Sequence, residues 1–329
     1  MKATRADMKI IDSVYGEEEI GELVLSDLIN SLAVQRLKEI SQFGLPDEYH
    51  HRKGFSRYDH SIGVMILLRR LGANLDEQIA GLLHDVSHTA FSHVIDWVME
   101  SSDENYQDKT HLEFVTKTDI PEILKKHGKE YPKYSVLEDF SLLEKHKPSL
   151  CADRVDYTLR ELNLEGKKEI VKIMLGELRN VNGQIVFADK TNAEIFGREY
   201  MRLQEDHWSG MESNGRYYLL SKILKKALNN KIISMEDLNK TDYHVLNILE
   251  SSNDPKILND LNLLKNFKIA DFSFDSDFSF NRKFKHIDPE VFFNEVVSPL
   301  SEINDDYRNF LGIEKLNSEN KEILILKER

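Results

Sequence analysis

The chain has 329 residues, 40% of them hydrophobic, and a formal net charge of −13 from 44 basic and 57 acidic residues. This acidic balance argues against a protein that forms a stable nucleic-acid complex, because such proteins present a basic face. No apolar run could span a bilayer, residues 1–20 lack the apolar centre of a signal peptide, and Cys151 is the only cysteine, so we expect a soluble cytoplasmic protein without membrane contact or disulfides.

The first predicted helix covers residues 26–43, with Ser26 as its N-cap and Gly44 just beyond its end. Its apolar positions recur with helical spacing and would face the core. Gln42 and Phe43 fall in its last turn, where such residues ordinarily cap or pack.

A basic segment, HHRKGFSR at 50–57, leads into a second predicted helix from about Arg57 to Leu71. His60 falls in the first turn of that helix. A helix N-terminus beside an arginine can bind an anion, because its unpaired N–H groups and the guanidinium both favour negative charge. A solvated basic loop remains the alternative.

The third predicted helix ends in the doublet His84–Asp85. Asn74 is a good N-cap, and Glu77 has the spacing of a capping box. An imidazole and a carboxylate in a loosened last turn can both face one cation. The doublet alone is a weak signal, so its value depends on partners elsewhere in the chain.

Those partners are His60 upstream and Asp153 downstream, which complete a set of two imidazoles and two carboxylates. We predict that His60, His84, Asp85 and Asp153 bind a divalent or trivalent metal ion. The mixed nitrogen and oxygen set favours manganese, iron, cobalt, nickel or magnesium over a closed structural zinc site, although the identity of the ion, zinc included, stays open.

The next predicted helix covers residues 91–99, where His93 and Asp96 are three residues apart and share a face. A carboxylate partner favours the imidazolium form, which can donate a proton near neutrality. Further on, Thr110 is predicted to cap a helix that contains His111.

Residues 149–162 are predicted to form an amphipathic helix after a lysine-rich connection. Asp153, Tyr157 and Glu161 fall on one face at i, i+4 and i+8, and apolar residues fall on the other. Without the upstream cluster, an ordinary surface helix would be the better interpretation. With the cluster, this face fits the wall of a metal and sugar site.

Asn182-Gly183 predicts a type I′ hairpin over 178–187, and a helix is predicted at about 191–208. The pattern beyond residue 235 differs. It predicts strands at 267–274, 280–286 and 323–326 and a helix at 289–298. We therefore predict a mainly α protein with a helical core over 1–235 and a small α+β appendage over 236–329 that builds an interface, and we expect a homo-oligomer.

The order His60, His84–Asp85, Asp153 resembles the HD-domain phosphohydrolases, which are named for the doublet. The segments VQRLKEISQFG (34–44), HDxxHxxFSHxxD (84–96) and DRVDYxxRE (153–161) resemble the branch that contains the deoxynucleoside triphosphate triphosphohydrolases. The resemblance covers roughly residues 10–200. It implies an HD-domain helical core and a metal-dependent hydrolase of nucleotides.

By resemblance, Gln42 contacts a sugar hydroxyl and Phe43 packs under the sugar. The remaining roles implied are phosphate contacts for Arg57, Arg154, Arg198, His88 and His111, a sugar wall of Tyr157 and Glu161, and a leaving-group acid, His93, with its partner Asp96.

The chain departs from the family pattern at three positions. Glu161 replaces an aspartate that faces the sugar, and Asp206 replaces a tyrosine that lines the pocket. Lys38 replaces an arginine of the GTP-activated allosteric site of some relatives, so that site is not carried over.

The first functional hypothesis is metal-dependent hydrolysis of a deoxynucleoside triphosphate to deoxynucleoside and triphosphate. A broader nucleotide phosphatase or phosphodiesterase is the alternative among enzymes, and a catalytically silent nucleotide-binding regulator is the alternative outside them. The intact set of His88, His93, Asp96 and His111 favours an enzyme, because a pure binder would not require it.

Overall fold

The computed structural model describes residues 8–100, 105–269, 272–281, 284–319 and 322–328. The structure is 59% helical, and the predicted mainly α class is confirmed. None of the helices within these ranges is long and apolar enough to cross a membrane.

The first half of the chain is a β-hairpin followed by helices. Its elements are β1 Met8–Asp12, β2 Gly16–Ile20, α1 Leu23–Ile29, α2 Leu32–Arg36, α3 Arg57–Arg70, α4 Leu75–Leu83, α5 Val94–Val98, α6 Tyr106–Thr116, α7 Ile120–Lys126 and α8 Ala152–Leu164. Helix α3 packs against both α4 and α8. The predicted metal ligands lie in α3, directly after α4 and in α8.

The second half combines helices with short strands. Its elements are α9 Lys168–Glu177, β3 Leu178–Val181, β4 Gln184–Phe187, α10 Lys190–Leu203, α11 Met211–Asn229, α12 Met235–Leu238, α13 Asp242–Glu250, α14 Pro255–Lys265, β5 Phe272–Asn281, β6 Glu290–Phe293, β7 Val296–Pro299, α15 Leu300–Ile303, α16 Asp305–Glu319 and β8 Glu322–Glu328. A π-helical turn, Gln204–Trp208, extends α10.

The strands form three small sheets. β1 pairs with β2, and β5 pairs with β8, both antiparallel. The third sheet has the order β3-β4-β6-β7, with β4 and β6 parallel where Phe187 lies opposite Val291.

Two apolar clusters hold the fold together. The first includes Ile62 of α3 and Leu159 of α8 and reaches Tyr307 of α16. The second joins Val94 of α5 to Leu246 of α13. Each cluster draws residues from both sides of position 235, and the domain division at that position stays a prediction.

The helix predicted over 26–43 is wrong in its extent. Ser31 interrupts it, because its hydroxyl accepts a hydrogen bond from the Val34 N–H and starts a new helix. After a 3₁₀ turn the chain becomes extended, and the Gln42 N–H donates to the Phe55 carbonyl at 2.9 Å. Gln42 therefore lies beside the segment that leads into α3, not in a helical turn.

The helix predicted over 289–298 is also wrong. This segment forms the β6–β7 hairpin, and the turn residues Asn294 and Glu295 have φ of 51° and 64°. β6 pairs in parallel with β4, which is distant in the sequence. The residues of the segment alone therefore do not indicate that it forms a strand. The strands predicted at 267–274 and 280–286 are replaced by the single strand β5, although parts of both lie outside the described residues.

Other local predictions agree in part. The hairpin over 178–187 is confirmed, with Asn182 at φ 52° and Gly183 at φ 78°, as a type I′ turn requires. The closing strand is found as β8. Thr110 is not a cap, because α6 begins four residues earlier and the Thr110 hydroxyl donates to the Tyr106 carbonyl inside it.

Candidate metal centre

The four predicted metal ligands converge in space. Nε2 of His60 lies 3.2 Å from Nε2 of His84 and 2.9 Å from Oδ1 of Asp153. Nε2 of His84 lies 3.5 Å from Oδ1 of Asp85. Ligand atoms about 2.1 Å from one ion, at octahedral or tetrahedral angles, stand about 3.0–3.4 Å apart. The spacing of these donors therefore fits one metal ion.

Both imidazoles are oriented by the protein. Nδ1 of His60 donates to Oδ2 of Asp156 at 2.7 Å, and Nδ1 of His84 donates to the Gly81 carbonyl at 2.7 Å. With Nδ1 protonated in each ring, the Nε2 lone pairs face the shared point, as metal-binding histidines require. The donor set and its orientation fit a divalent cation.

The electrostatics of the cluster also favour a cation. Burial alone would lower the pKa of His60, but hydrogen bonds with Asp153 and Asp156 outweigh it and raise the pKa to about 9. Burial alone would raise the pKa of Asp85, but the Arg57 and His84 charges hold it well below its ordinary value. A metal must therefore displace protons from imidazole, and its affinity should rise with pH.

Asp156 is a positioning residue that sequence reasoning missed. It is fully buried, and besides His60 it accepts from Nε of Arg160 at 2.8 Å. Arg160 in turn donates to Asp12 of β1 at 2.7 Å. The second aspartate of the DRVD sequence was an available signal, because it lies three residues after Asp153 in the same helix.

We expect Asp156→Asn to weaken metal binding by roughly 10- to 100-fold, the usual scale for loss of such an outer partner. The asparagine can present its amide nitrogen to His60 and so disturb the tautomer. Metal titration with a competing chelator measures the effect. Asp27→Asn is the control, because Asp27 pairs with His127 at 2.8 Å on other helices. Equal affinity in both variants would contradict the role of Asp156.

Arg57 connects the cluster to a strained loop. It is buried, its Nη1 contacts Oδ2 of Asp85, and its Nε donates to the Ser92 hydroxyl at 2.7 Å. Ser92 and Phe91 have φ of 49° and 61°, which is uncommon for residues other than glycine. The helix predicted from residue 91 consequently begins only at Val94.

Asp242 of α13 fixes this loop from a distant part of the sequence. Its carboxylate accepts from the Phe91 N–H at 2.7 Å and from the Ser41 N–H at 2.8 Å. Burial raises the pKa of Asp242 to about 7. Asp242 therefore joins the segment before Gln42 to the loop that holds Arg57, and no pattern in the sequence indicated this.

The predicted acid and its partner lie together. Nδ1 of His93 is 3.4 Å from Oδ2 of Asp96, and the buried Asp96 also accepts from the Tyr106 N–H at 3.0 Å. The His93 side chain is 50% exposed, so it can meet a ligand. The His88 ring lies 5.0 Å away, centroid to centroid.

His88 and His111 differ from the expected cationic shell. Nε2 of His88 lies 3.3 Å from Oδ1 of Asp85, and Nδ1 of His111 lies 2.7 Å from the Ser87 hydroxyl. Burial lowers the pKa of His88 well below its ordinary value and that of His111 to about 4. Both rings are therefore neutral near pH 7 in this state.

Several buried polar atoms around the cluster have no hydrogen-bond partner among the described residues. They are Nη2 of Arg57, Nδ1 of His88, Nε2 of His111 and Oε1 of Gln42. Buried polar groups in native proteins are nearly always satisfied. These atoms are free to form hydrogen bonds with a polar ligand.

Arg154 already has partners in this structure. Its guanidinium donates to Glu144 at 2.8 Å and contacts the Cys151 sulfur at 3.0 Å. Glu144, Cys151 and Asp153 have a spacing that could hold a metal, but the Arg154 guanidinium already contacts Glu144 and Cys151. Burial raises the pKa of the Cys151 thiol, which makes it a weak ligand and nucleophile.

Arg198 is not brought to the cluster by any of its described contacts. Its Nε donates to Glu194 at 2.8 Å, and its guanidinium lies 4.4 Å from the centre of the Phe310 ring. The predicted phosphate contact therefore has no support from this geometry.

The predicted sugar wall follows Asp153 along α8. The Tyr157 ring is 6.2 Å from the His60 ring, and its hydroxyl is 3.1 Å from that of Tyr200. The Phe43 ring is buried and meets the His207 ring edge-on at 4.3 Å. Sequence reasoning did not anticipate His207.

Comparison with known proteins agrees with this geometry. The HD domain pattern matches residues 57–174, which include all four metal-ligand candidates. The chain is 40% identical over 294 residues to the uncharacterized protein YdhJ of Bacillus subtilis, covering 88% of this chain and 90% of that protein. This chain belongs to the HD-domain metal-dependent phosphohydrolases.

Three further similarities bear on fold and function. The metal-dependent phosphohydrolase cns2 of Cordyceps militaris is 38% identical over 209 residues, covering 61% of this chain and 60% of cns2. A deoxynucleoside triphosphate triphosphohydrolase SAMHD1 homolog of Dictyostelium discoideum is 26% identical over 224 residues, covering 57% of this chain and 43% of that protein. A solved phosphohydrolase from Bacteroides thetaiotaomicron shares the fold, with a TM-score of 0.64 at 16% identity and coverage of 91% and 94%.

Proposed function

We propose that this protein hydrolyses deoxynucleoside triphosphates to deoxynucleoside and tripolyphosphate. The observation that carries the proposal is the convergence of two oriented imidazoles and two carboxylates beside Arg57, whose buried Nη2 has no partner among the described residues. A phosphate oxygen would satisfy that nitrogen with a charge-assisted hydrogen bond. The similarity to a triphosphohydrolase of Dictyostelium supports the choice of substrate.

His60, His84, Asp85 and Asp153 would hold the metal. When bound, a divalent ion in such a site lowers the pKa of water and neutralises charge on phosphoryl oxygens. In the proposed reaction water attacks the α-phosphorus, and the bond from that phosphorus to the 5′ oxygen breaks.

Arg57 of α3, Asp96 of α5 and His93, which directly precedes α5, do the remaining work. Arg57, held by Ser92 and Asp85, orients the phosphates. His93 donates its proton to the departing 5′ oxygen, which leaves as the sugar hydroxyl, and Asp96 orients the ring through Nδ1. Correct placement of the phosphates supplies much of the rate, because it converts an encounter into an intramolecular step.

The test is a panel of deoxyribo- and ribonucleoside mono-, di- and triphosphates, incubated with manganese and with a chelator, with products identified by mass. We expect deoxynucleoside and intact tripolyphosphate from the triphosphates, only with the metal. The bulk of Phe43 should disfavour ribose by roughly 10- to 100-fold, since a desolvated hydroxyl without a partner costs about 1–3 kcal/mol.

The alternative is a broader nucleotide phosphatase. Its support is the similarity to cns2, which is described as a metal-dependent phosphohydrolase. Orthophosphate as the sole primary product, or faster turnover of monophosphates, would favour this alternative.

A further inference from the structure

Both carboxylate oxygens of Glu161 are occupied by neighbouring side chains. Oε2 accepts from Nδ1 of His207 at 2.6 Å, and Oε1 accepts from Nε1 of Trp208. Glu161 is 4% exposed. A carboxylate that is buried and bound by two ring N–H donors has little capacity left for a sugar hydroxyl, the contact implied by family resemblance.

The π-helical turn Gln204–Trp208 makes this double contact feasible. Consecutive side chains in an α-helix point about 100° apart, and the wider π turn alters that geometry so that His207 and Trp208 both reach Glu161. Such single turns are rare and are found mostly at functional sites. The turn also contains Asp206, where the family pattern has a pocket tyrosine.

The Glu161 contact defines the chemistry of His207. Because a carboxylate only accepts hydrogen bonds, Nδ1 of His207 carries the proton in this contact, and the Nδ1-protonated tautomer leaves Nε2 as an acceptor. Within the described part of the chain, the recorded hydrogen bond of this side chain is the one through Nδ1. Nε2 therefore offers a lone pair to a ligand hydroxyl.

The position of His207 matches the predicted sugar end of the site. Its ring is held edge-on against Phe43, with centroids 4.3 Å apart, and lies 5.4 Å from the His50 ring. Its neighbour Trp208 packs against Tyr157 at 4.9 Å, and Tyr157 lies beside the metal ligand His60. The ring is thus fixed on two sides by groups of the same site.

We propose that His207 determines substrate specificity by accepting a hydrogen bond from the 3′-hydroxyl of the sugar through Nε2, and that Glu161 positions His207 instead of contacting the sugar. The proposal rests on the proposed function, because it assigns a group of the nucleotide to this end of the site. Gln42 lies next to Phe43 in sequence. Its side-chain amide N–H would donate to the oxygen of the same hydroxyl, because the single hydroxyl proton goes to His207.

The experiment compares 2′-deoxy and 2′,3′-dideoxynucleoside triphosphates of one base in wild type, His207→Phe and Glu161→Gln. Phenylalanine keeps a planar ring but removes both nitrogens. We expect wild type to favour the deoxy substrate by roughly 10-fold in kcat/KM, the scale of one buried hydrogen bond. This ratio should fall to near one in His207→Phe and should fall in the same direction in Glu161→Gln.

His127→Phe is the matched control, because His127 also pairs with a carboxylate, Asp27, but on other helices. Its deoxy-to-dideoxy ratio should equal that of wild type. Metal content and a melting curve are recorded for every variant. If His207→Phe does not fold, His207→Leu takes its place, and the Glu161→Gln ratio is read independently.

The outcomes separate the two proposals. A wild-type ratio near one, or an unchanged ratio in the folded His207 and Glu161 variants, overturns the assignment of His207 and leaves the proposed function intact. A wild type that releases no nucleoside from any triphosphate overturns both.

Discussion

The Asp85→Asn protein is expected to purify without its metal and without detectable hydrolase activity. Asp85 faces His84 at 3.5 Å and His60 at 3.8 Å, and it is ionised because the charge of Arg57 holds its pKa well below the ordinary value. Removing this charge deletes one of two anionic ligands. We expect at least about a 100-fold loss of metal affinity, which exceeds the usual effect of outer partners.

The same substitution should lower stability. It leaves the buried guanidinium of Arg57 without its ion partner, and breaking such a pair costs about 3–5 kcal/mol. Metal content is therefore measured by elemental analysis on the folded fraction after gel filtration. Asp237→Asn is the control, since Asp237 pairs with His244 at 3.0 Å on a surface helix pair. One equivalent of metal in folded Asp85→Asn would refute the ligand assignment.

His93→Ala is expected to keep its metal and its substrate affinity but to lose roughly 100-fold or more in kcat, the usual scale for a general acid. The alanine cannot protonate the departing oxygen. Among the described residues, the metal ligands His60 and His84 are oriented by Asp156 and the Gly81 carbonyl, and not by His93. Steady-state kinetics at saturating metal measures the effect.

Asp96→Asn should act in the same direction but more weakly, because it removes only the partner of the acid. Asp96 is buried and also accepts from the Tyr106 N–H, so a melting curve must accompany the kinetics. Undiminished kcat in His93→Ala would assign the acid role to another residue, and His111 would be the first to examine.

Local sequence signals predicted the helices around the metal centre well. Asn74 is confirmed as the N-cap of α4, and His84 lies at its C-terminal end as expected. The capping box was only half right, because the Glu77 carboxylate accepts from the Leu142 N–H at 2.7 Å and so joins α4 to a later segment. Spacing along a helix is a local property, whereas the partner of a buried carboxylate is not.

The features that the sequence did not predict depend on long-range contacts. The Asp242 carboxylate accepts a hydrogen bond from the Phe91 N–H, 151 positions away in the sequence. The periodicity of apolar residues does not predict such a contact. Arg154 is a conspicuous cation next to Asp153, yet its partner Glu144 precedes it in a segment that looked like a solvated connection. The sequence predicts a helix where the β6–β7 hairpin forms, because the parallel partner β4 is about a hundred residues away.

Glu161 illustrates why resemblance to a family does not fix the role of each residue. The extra methylene relative to aspartate and the two ring donors of the π turn change what the carboxylate can bind. A role assigned from the position of a residue in a family motif must therefore be checked against the contacts of that residue in this chain.

Hydrolysis of dGTP in ¹⁸O-labelled water tests the central claim most directly, because it identifies both the products and the atom that water attacks. We predict unlabelled deoxyguanosine and tripolyphosphate that carries one ¹⁸O, formed only with a divalent metal and abolished in Asp85→Asn. Labelled orthophosphate with dGDP, or label in the deoxyguanosine, would place the cleavage at another bond and contradict the account.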